Sequence, residues 1–175
     1  MQTALLLTIG LVILNFMGNM HLTVMNLLAT YGIVFLGCLS SSALFMIVVL
    51  FFKSSSASGA FFGILSAAAG FVIGAYIPVS QFSSTVQTVC NVFPASQICA
   101  LLRTTLLSGI ADEMNSSIGG VDNGMFISAL KESMTFNAVV FDKAFSVNTM
   151  CLYVVAFTLV SLAAMVFCYT KVYKK

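Results

Sequence analysis

Charge is what this chain has least of. Seven Lys/Arg and five Asp/Glu make up 7% of 175 residues, where a soluble domain carries about one quarter. With 60% hydrophobic residues and a mean hydropathy of +1.08, lipid must be the solvent for most of the surface. That excludes a soluble enzyme, a nucleic-acid binder and a disordered chain. Histidine occurs once, and the five cysteines (Cys38, Cys90, Cys99, Cys151, Cys168) form no CxxC pair, so no metal cluster is legible. There is no GxxxxGK[ST] phosphate loop, no HExxH helix, no GxSxG elbow and no carboxylate pair for an intramembrane hydrolase. These absences argue against an enzyme. Proline occurs only twice, at Pro78 and Pro94, and tryptophan not at all.

What the chain does have is long uncharged runs. Residues 30–52, 57–77 and 149–170 each suffice, at about 1.5 Å per residue, to cross a ~30 Å hydrocarbon layer as a helix. A shorter run, residues 3–18, spans if its flanks contribute. The lack of a basic n-region, and of an A-x-A pattern before Asn19, argues against its being the apolar part of a signal peptide. The expected fold is an all-α integral membrane protein, one transmembrane domain over residues 1–175 with four transmembrane helices. No Asp, Glu, Lys, Arg or His falls within those spans, so the chain offers no proton relay and no voltage sensor. His21, just past the first span, reads as an ordinary interfacial polar residue.

The few charges set direction. Lys53 sits in a short loop and Lys171, Lys174 and Lys175 form the tail, whereas all acids (Asp112, Glu113, Asp122, Glu132, Asp142) lie in residues 108–148. With four spans, the lysines share one side and the acids occupy the other. The positive-inside rule then makes both termini cytoplasmic and residues 108–148 extracellular. Lys131 and Lys143 weigh little because they belong to a longer translocated segment. That segment is turn-rich at first, and MFISALKESM is expected to form a short helix with Ile127, Leu130 and Met134 on one side.

Pro78 is expected to end the third helix. After it, Val79, Phe82, Val86, Val89 and Phe93 recur at steps of three and four residues, a helical stripe that Pro94 interrupts. A second run follows with Ala95, Ile98 and Leu102 on one face and Arg103 beside it. A fifth span here is disfavoured by the mid-segment proline and by Arg103, which costs about 2.5–3.5 kcal/mol near mid-bilayer on insertion scales. Residues 79–107 are therefore expected to form a re-entrant helix-Pro-helix hairpin before the last span; the rival arrangement is a pair of amphipathic helices lying on the surface. Cys90 and Cys99 flank Pro94, and spacing alone leaves open whether they meet. In the third span Gly59, Gly63 and Ala67 recur every four residues, and Ser66, Gly70 and Gly74 repeat the spacing on an adjacent line. Small residues so placed let helices approach closely. Asn15 and Ser40-Ser41-Ser42 are the main polar spots in the other spans, each within reach of interhelical or local backbone partners.

The order of these features is itself informative: a serine-containing loop, a Gly/Ala-rich helix, G-A-Y-I-P, a short amphipathic helix, N-V-F-P, L-L-R, and a last span ending in basic residues. It resembles the C-terminal portion of the permease of an ABC-type-2 exporter, the membrane half of many bacterial drug, lipid, polysaccharide and peptide exporters. Residues 57–107 carry the resemblance, with Gly74, Pro78, Pro94, Leu102 and Arg103 at the family's G-x-x-x-P, P and L-R elements. The final span fits in type and orientation. The resemblance implies a cell-membrane permease that pairs with a second permease unit and is driven by a separate cytoplasmic ABC ATPase, which binds the ATP. It also implies two further spans and a coupling helix ahead of residue 1, so the missing half is either a separate polypeptide or absent from a truncated frame. It implies structural roles for Pro78, Pro94 and Arg103 in the hairpin. Uncharged Phe- and Met-rich spans suit an apolar or amphipathic cargo and equally suit lipid contact. A different class, a four-span scaffold or accessory subunit that transports nothing, fits the same composition. A channel fits less well, since no acidic ring or filter-like loop is visible.

Overall fold

The computed structural model describes residues 2–18, 23–117, 124–141 and 143–173. His21, Asn19, Asp122, Asp142, Lys174 and Lys175 lie outside these described residues, and with them the expectation for His21 and part of the charge argument. Among the described residues seven α-helices follow in order: α1 (Gln2–Gly18), α2 (Val24–Leu50), α3 (Ser55–Val72), α4 (Ser84–Val92), α5 (Pro94–Ser117), α6 (Met125–Ser133) and α7 (Val147–Tyr173). A 3-10 turn, Val79–Gln81, precedes α4, and a minimal antiparallel pair, β1 (Val139–Val140) with β2 (Lys143–Ala144), precedes α7.

The chain is a multi-span helical membrane protein. Three helices, α2, α3 and α7, have the length and hydropathy to cross a bilayer, and the bent pair α4–α5 raises the number to four if taken as one span. α1 is apolar but has 17 residues, about 26 Å, so it reaches across ~30 Å only with help from its flanks. Large apolar side chains point outward along every one of these helices, among them Leu6, Phe35, Ile64, Leu159 and Phe167. Outward apolar surface at this density is what a hydrocarbon solvent produces.

The packed centre lies among α2, α5 and α7. Ile98, Ala100 and Leu101 of α5 meet Met150 and Val154 of α7 with Ala138 beneath, and Ile33 and Leu36 of α2 close the cluster. On α7 the buried residues Met150, Val154, Thr158 and Ser161 step by four, four and three, one stripe of a helix. On α2 the buried set is Thr30, Gly37, Ser40 and Ala43, all small. A Cβ at Gly37 would sit 2.9 Å from Ile98 Cδ1, so close approach is achieved here.

Small-residue packing therefore sits on α2, and the α3 stripe has a different place. No residue of α3 is buried. Nothing lies within 4 Å of a Cβ built at Gly59 or Gly63, and Ser66 and Ala67 are exposed. Gly70 lies under the Tyr76 ring, and Gly74 is outside the helix altogether. The expected end of the third span also moves. The helix stops at Val72 because Gly74 adopts φ +73, the left-handed conformation that closes helices, and Ala75 N and Tyr76 N donate back to Gly70 O at 2.9 and 3.1 Å. Pro78 instead leads into the 3-10 turn, its φ of −54 suited to that start.

Other boundaries shift for local reasons. α2 begins six residues before the expected span, at Val24, with Thr23 extended ahead of it. α5 runs on to Ser117, through residues read as turn-rich, because Ala111, Asp112, Glu113 and Met114 continue the helix past the isolated Gly109. α6 appears where MFISALKESM predicted it, with Ile127 buried.

The re-entrant elbow and its Arg103 anchor

Pro94 supplies the bend. It has no N–H to donate to α4 and pushes Phe93 into extended geometry (φ −73, ψ 130), while its own fixed φ suits the first position of a new helix. α4 and α5 consequently meet at 95°. Breaking a helix inside a bilayer frees carbonyls that lipid cannot satisfy. Here protein satisfies them. Gln97 Nε2 donates to Asn91 O at 2.8 Å and Tyr153 Oη of α7 donates to Val92 O at 2.5 Å. Asn91, 1% exposed, donates through Nδ2 to Val139 O at 2.8 Å and accepts from Ser96 Oγ at 2.7 Å. Gln97 Oε1 and Ser40 Oγ are buried without a partner.

Depth and direction follow from the neighbours. Ile98 packs on Gly37, the midpoint of the 27-residue α2, and Val92 and Leu101 lie beside the first two turns of α7. The bottom of the elbow is thus inside the bundle. Both arms leave on one side. The start of α4 is held by Gln87 Nε2, which donates to Ser80 O and Phe82 O, while Ser80 Oγ donates to Ser133 O of α6 at 2.6 Å. The outer length of α5 runs beside the same α6: Thr104 Oγ1 donates to Phe136 O at 2.9 Å, and Lys131 pairs with Asp112 at 3.0 Å. Arms that dip to mid-bundle and return to one cap define a re-entrant element rather than a broken span or a surface pair.

Arg103 ties that element together. From α5 its guanidinium donates Nη1 to Met134 O, at 2.7 Å, and Nη2 to Gly74 O. Met134 caps the C-terminus of α6 and Gly74 follows the C-terminus of α3. One cation thus serves two helix C-termini, where carbonyls and the helix dipole favour positive charge. The planar fork suits two acceptors at once.

All five cysteines are free thiols, so Cys90 and Cys99 do not bridge the elbow. Among the described residues no group of three His, Cys, Asp or Glu is placed to hold a metal. Of the expected structural residues, the structure joins Pro94, Arg103 and Gly74 in one assembly, with Pro78 on the turn leading to it. It leaves Gly59, Gly63 and Ser66 on the open face of α3. Sequence reading missed Gly37, Asn91, Gln97 and Tyr153. The only signal for Asn91 and Gln97 was their position around Pro94, where freed carbonyls need donors; Tyr153, on α7, had none.

No protein-family model, curated protein or solved structure matches the chain.

Proposed function

We propose that the chain is a permease subunit, or the C-terminal part of one, of an ATP-driven exporter for an apolar or amphipathic substrate. The observation that carries this reading is the re-entrant elbow ahead of the last span, anchored by Arg103 to the end of α3. It matches, in kind and order, what the resemblance to ABC-type-2 permeases implies. Spans free of titratable groups fit the same reading, because a translocating protein without a proton relay needs external energy. In this reading a separate cytoplasmic ABC ATPase binds ATP, a second permease unit completes the pathway, and Lys53 and the basic tail face the cytoplasm of a cell-membrane protein. The cap formed by α6 and β1–β2 then lies outside.

The test is to co-express the chain with candidate ABC ATPases, with and without a complementary N-terminal permease half, and measure cargo-stimulated ATP hydrolysis in lipid vesicles. Stimulation is expected only when both halves are present; export by this chain plus ATPase alone contradicts the split-permease form. The second reading, a non-transporting four-span scaffold, draws on the open Gly59/Gly63 face of α3, which is free to pack on another membrane protein. A stable complex with such a protein, and none with any ATPase, selects it.

A further inference from the structure

We propose that the cleft between α2 and α3 holds one acyl chain of an anionic phospholipid, with its phosphate at Lys53. The proposal needs only that these helices span a bilayer and is independent of the exporter reading.

The cleft encloses ≈ 340 Å³ between α2, α3 and the underside of the elbow, and of its twelve lining residues only Ser41 is polar. That volume is more than twice the ~150 Å³ in which an apolar cavity accommodates a benzene-sized guest. One hydroxyl gives water too few partners, so the space is dry or filled by hydrocarbon. It opens sideways to the bilayer, because Phe45, Phe61 and Phe93 line it and are also 39%, 40% and 45% exposed. The cleft is therefore continuous with the lipid-facing surface.

The geometry of α3 explains why the space persists. The helix is held at two levels, at Phe61 and Phe62 in its first half and just past its C-terminus. Phe61 and Phe62 meet Phe52 and Phe45 close to the α2–α3 loop, and Arg103 holds Gly74 O at the far end. Leu65 and Ala69, between those ties, face the cleft. Lys53 directly follows Phe52, whose ring lies 5.2 Å from that of the cleft residue Phe61, and it is exposed and, among the described residues, outside the one ion pair, Lys131 with Asp112. An unpaired cation at the bilayer edge of an apolar cleft selects an anionic headgroup over a zwitterionic one.

Because the chain has no tryptophan, single reporters can be read without background. Phe61→Trp places one in the cleft, and Leu159→Trp, at a position 62% exposed on α7, reports ordinary lipid contact. Each variant is reconstituted in phosphatidylcholine vesicles containing a small fraction of phosphatidylglycerol or phosphatidylcholine brominated on the acyl chain. Brominated phosphatidylglycerol is expected to quench the cleft reporter more than the α7 reporter. Filling the cleft with Ala69→Phe, or with Leu65→Phe should circular dichroism show that the first variant loses helicity, abolishes that excess. Lys53→Gln lowers the preference for phosphatidylglycerol about fivefold, the factor for one lysine near an anionic surface. Equal quenching at both reporters, or an excess that survives filling, overturns the acyl-chain site. Equal quenching by the two lipids in the Lys53 protein overturns the headgroup assignment. Emission that follows the protein-to-lipid ratio instead of bromine content overturns the proposal in favour of a second copy in the cleft.

Discussion

Arg103 shows how one side chain can matter more for what it joins than for its charge. Its two donors reach carbonyls at the ends of α3 and α6, segments 60 residues apart at Gly74 and Met134. A lysine retains the charge but not the fork. Arg103→Met is expected to lower stability in micelles by about 2 kcal/mol, as for a charged hydrogen bond lost to backbone acceptors, and Arg103→Lys by roughly half as much. The midpoint of an SDS titration followed by circular dichroism reads both. Equal loss in the two variants contradicts the two-carbonyl account. Arg103 was legible as an outlier among apolar residues, but its partners were not, because a backbone carbonyl leaves no mark in sequence. The reverse holds for Gln97 and Asn91, polar residues whose burial depended on where Pro94 sent the chain.

At the scale of elements, α2 and α3 carry the same kind of residue to opposite effect. Both contain small residues at helical spacing, yet those of α2 are buried while Gly59 and Gly63 have open space above them. Gly37→Leu should overpack against Ile98 and cost about 1–3 kcal/mol. Gly63→Leu should change the stability of the isolated chain by no more than about 0.5 kcal/mol. Chemical or SDS denaturation of the two variants checks the contrast, and a large loss from Gly63→Leu would place α3 against a neighbour within the chain. Helix existence was readable from runs of apolar residues; which face of each helix meets another was not, because in a membrane every face is apolar. Boundaries failed where a glycine could act before a proline, as at Gly74, and where a helix-forming stretch such as Ala111–Met114 continued beyond the bilayer region.

For the whole molecule, the expected arrangement places Lys53 on one side of the membrane and the α6 cap on the other. Two single-cysteine proteins with the native thiols replaced, Lys53→Cys and Glu132→Cys, are expected to react with a membrane-impermeant maleimide from opposite sides of sealed cells, Glu132→Cys from outside. Labelling of both from one side contradicts the re-entrant assignment, since a fifth crossing moves the cap relative to the loop. The broad architecture of apolar helices and a Pro-broken hairpin was legible from hydropathy and from Pro94. The α2–α5–α7 core was not, because it joins helices far apart in the chain, a matter of tertiary pairing.

The hydrogen bond from Tyr153 to Val92 also sets an order of events during synthesis. The elbow emerges 61 residues before the tyrosine that satisfies it, a delay of roughly 3–12 s at ~5–20 residues per second. Through that interval the Val92 carbonyl freed at the Pro94 break lacks its tyrosine donor, a costly state to leave in lipid. The break in the elbow is therefore satisfied only once α7 packs against it. A nascent chain that stops before α7 lacks the Tyr153 donor for Val92 O, which makes the docking of α7 the step that completes the elbow.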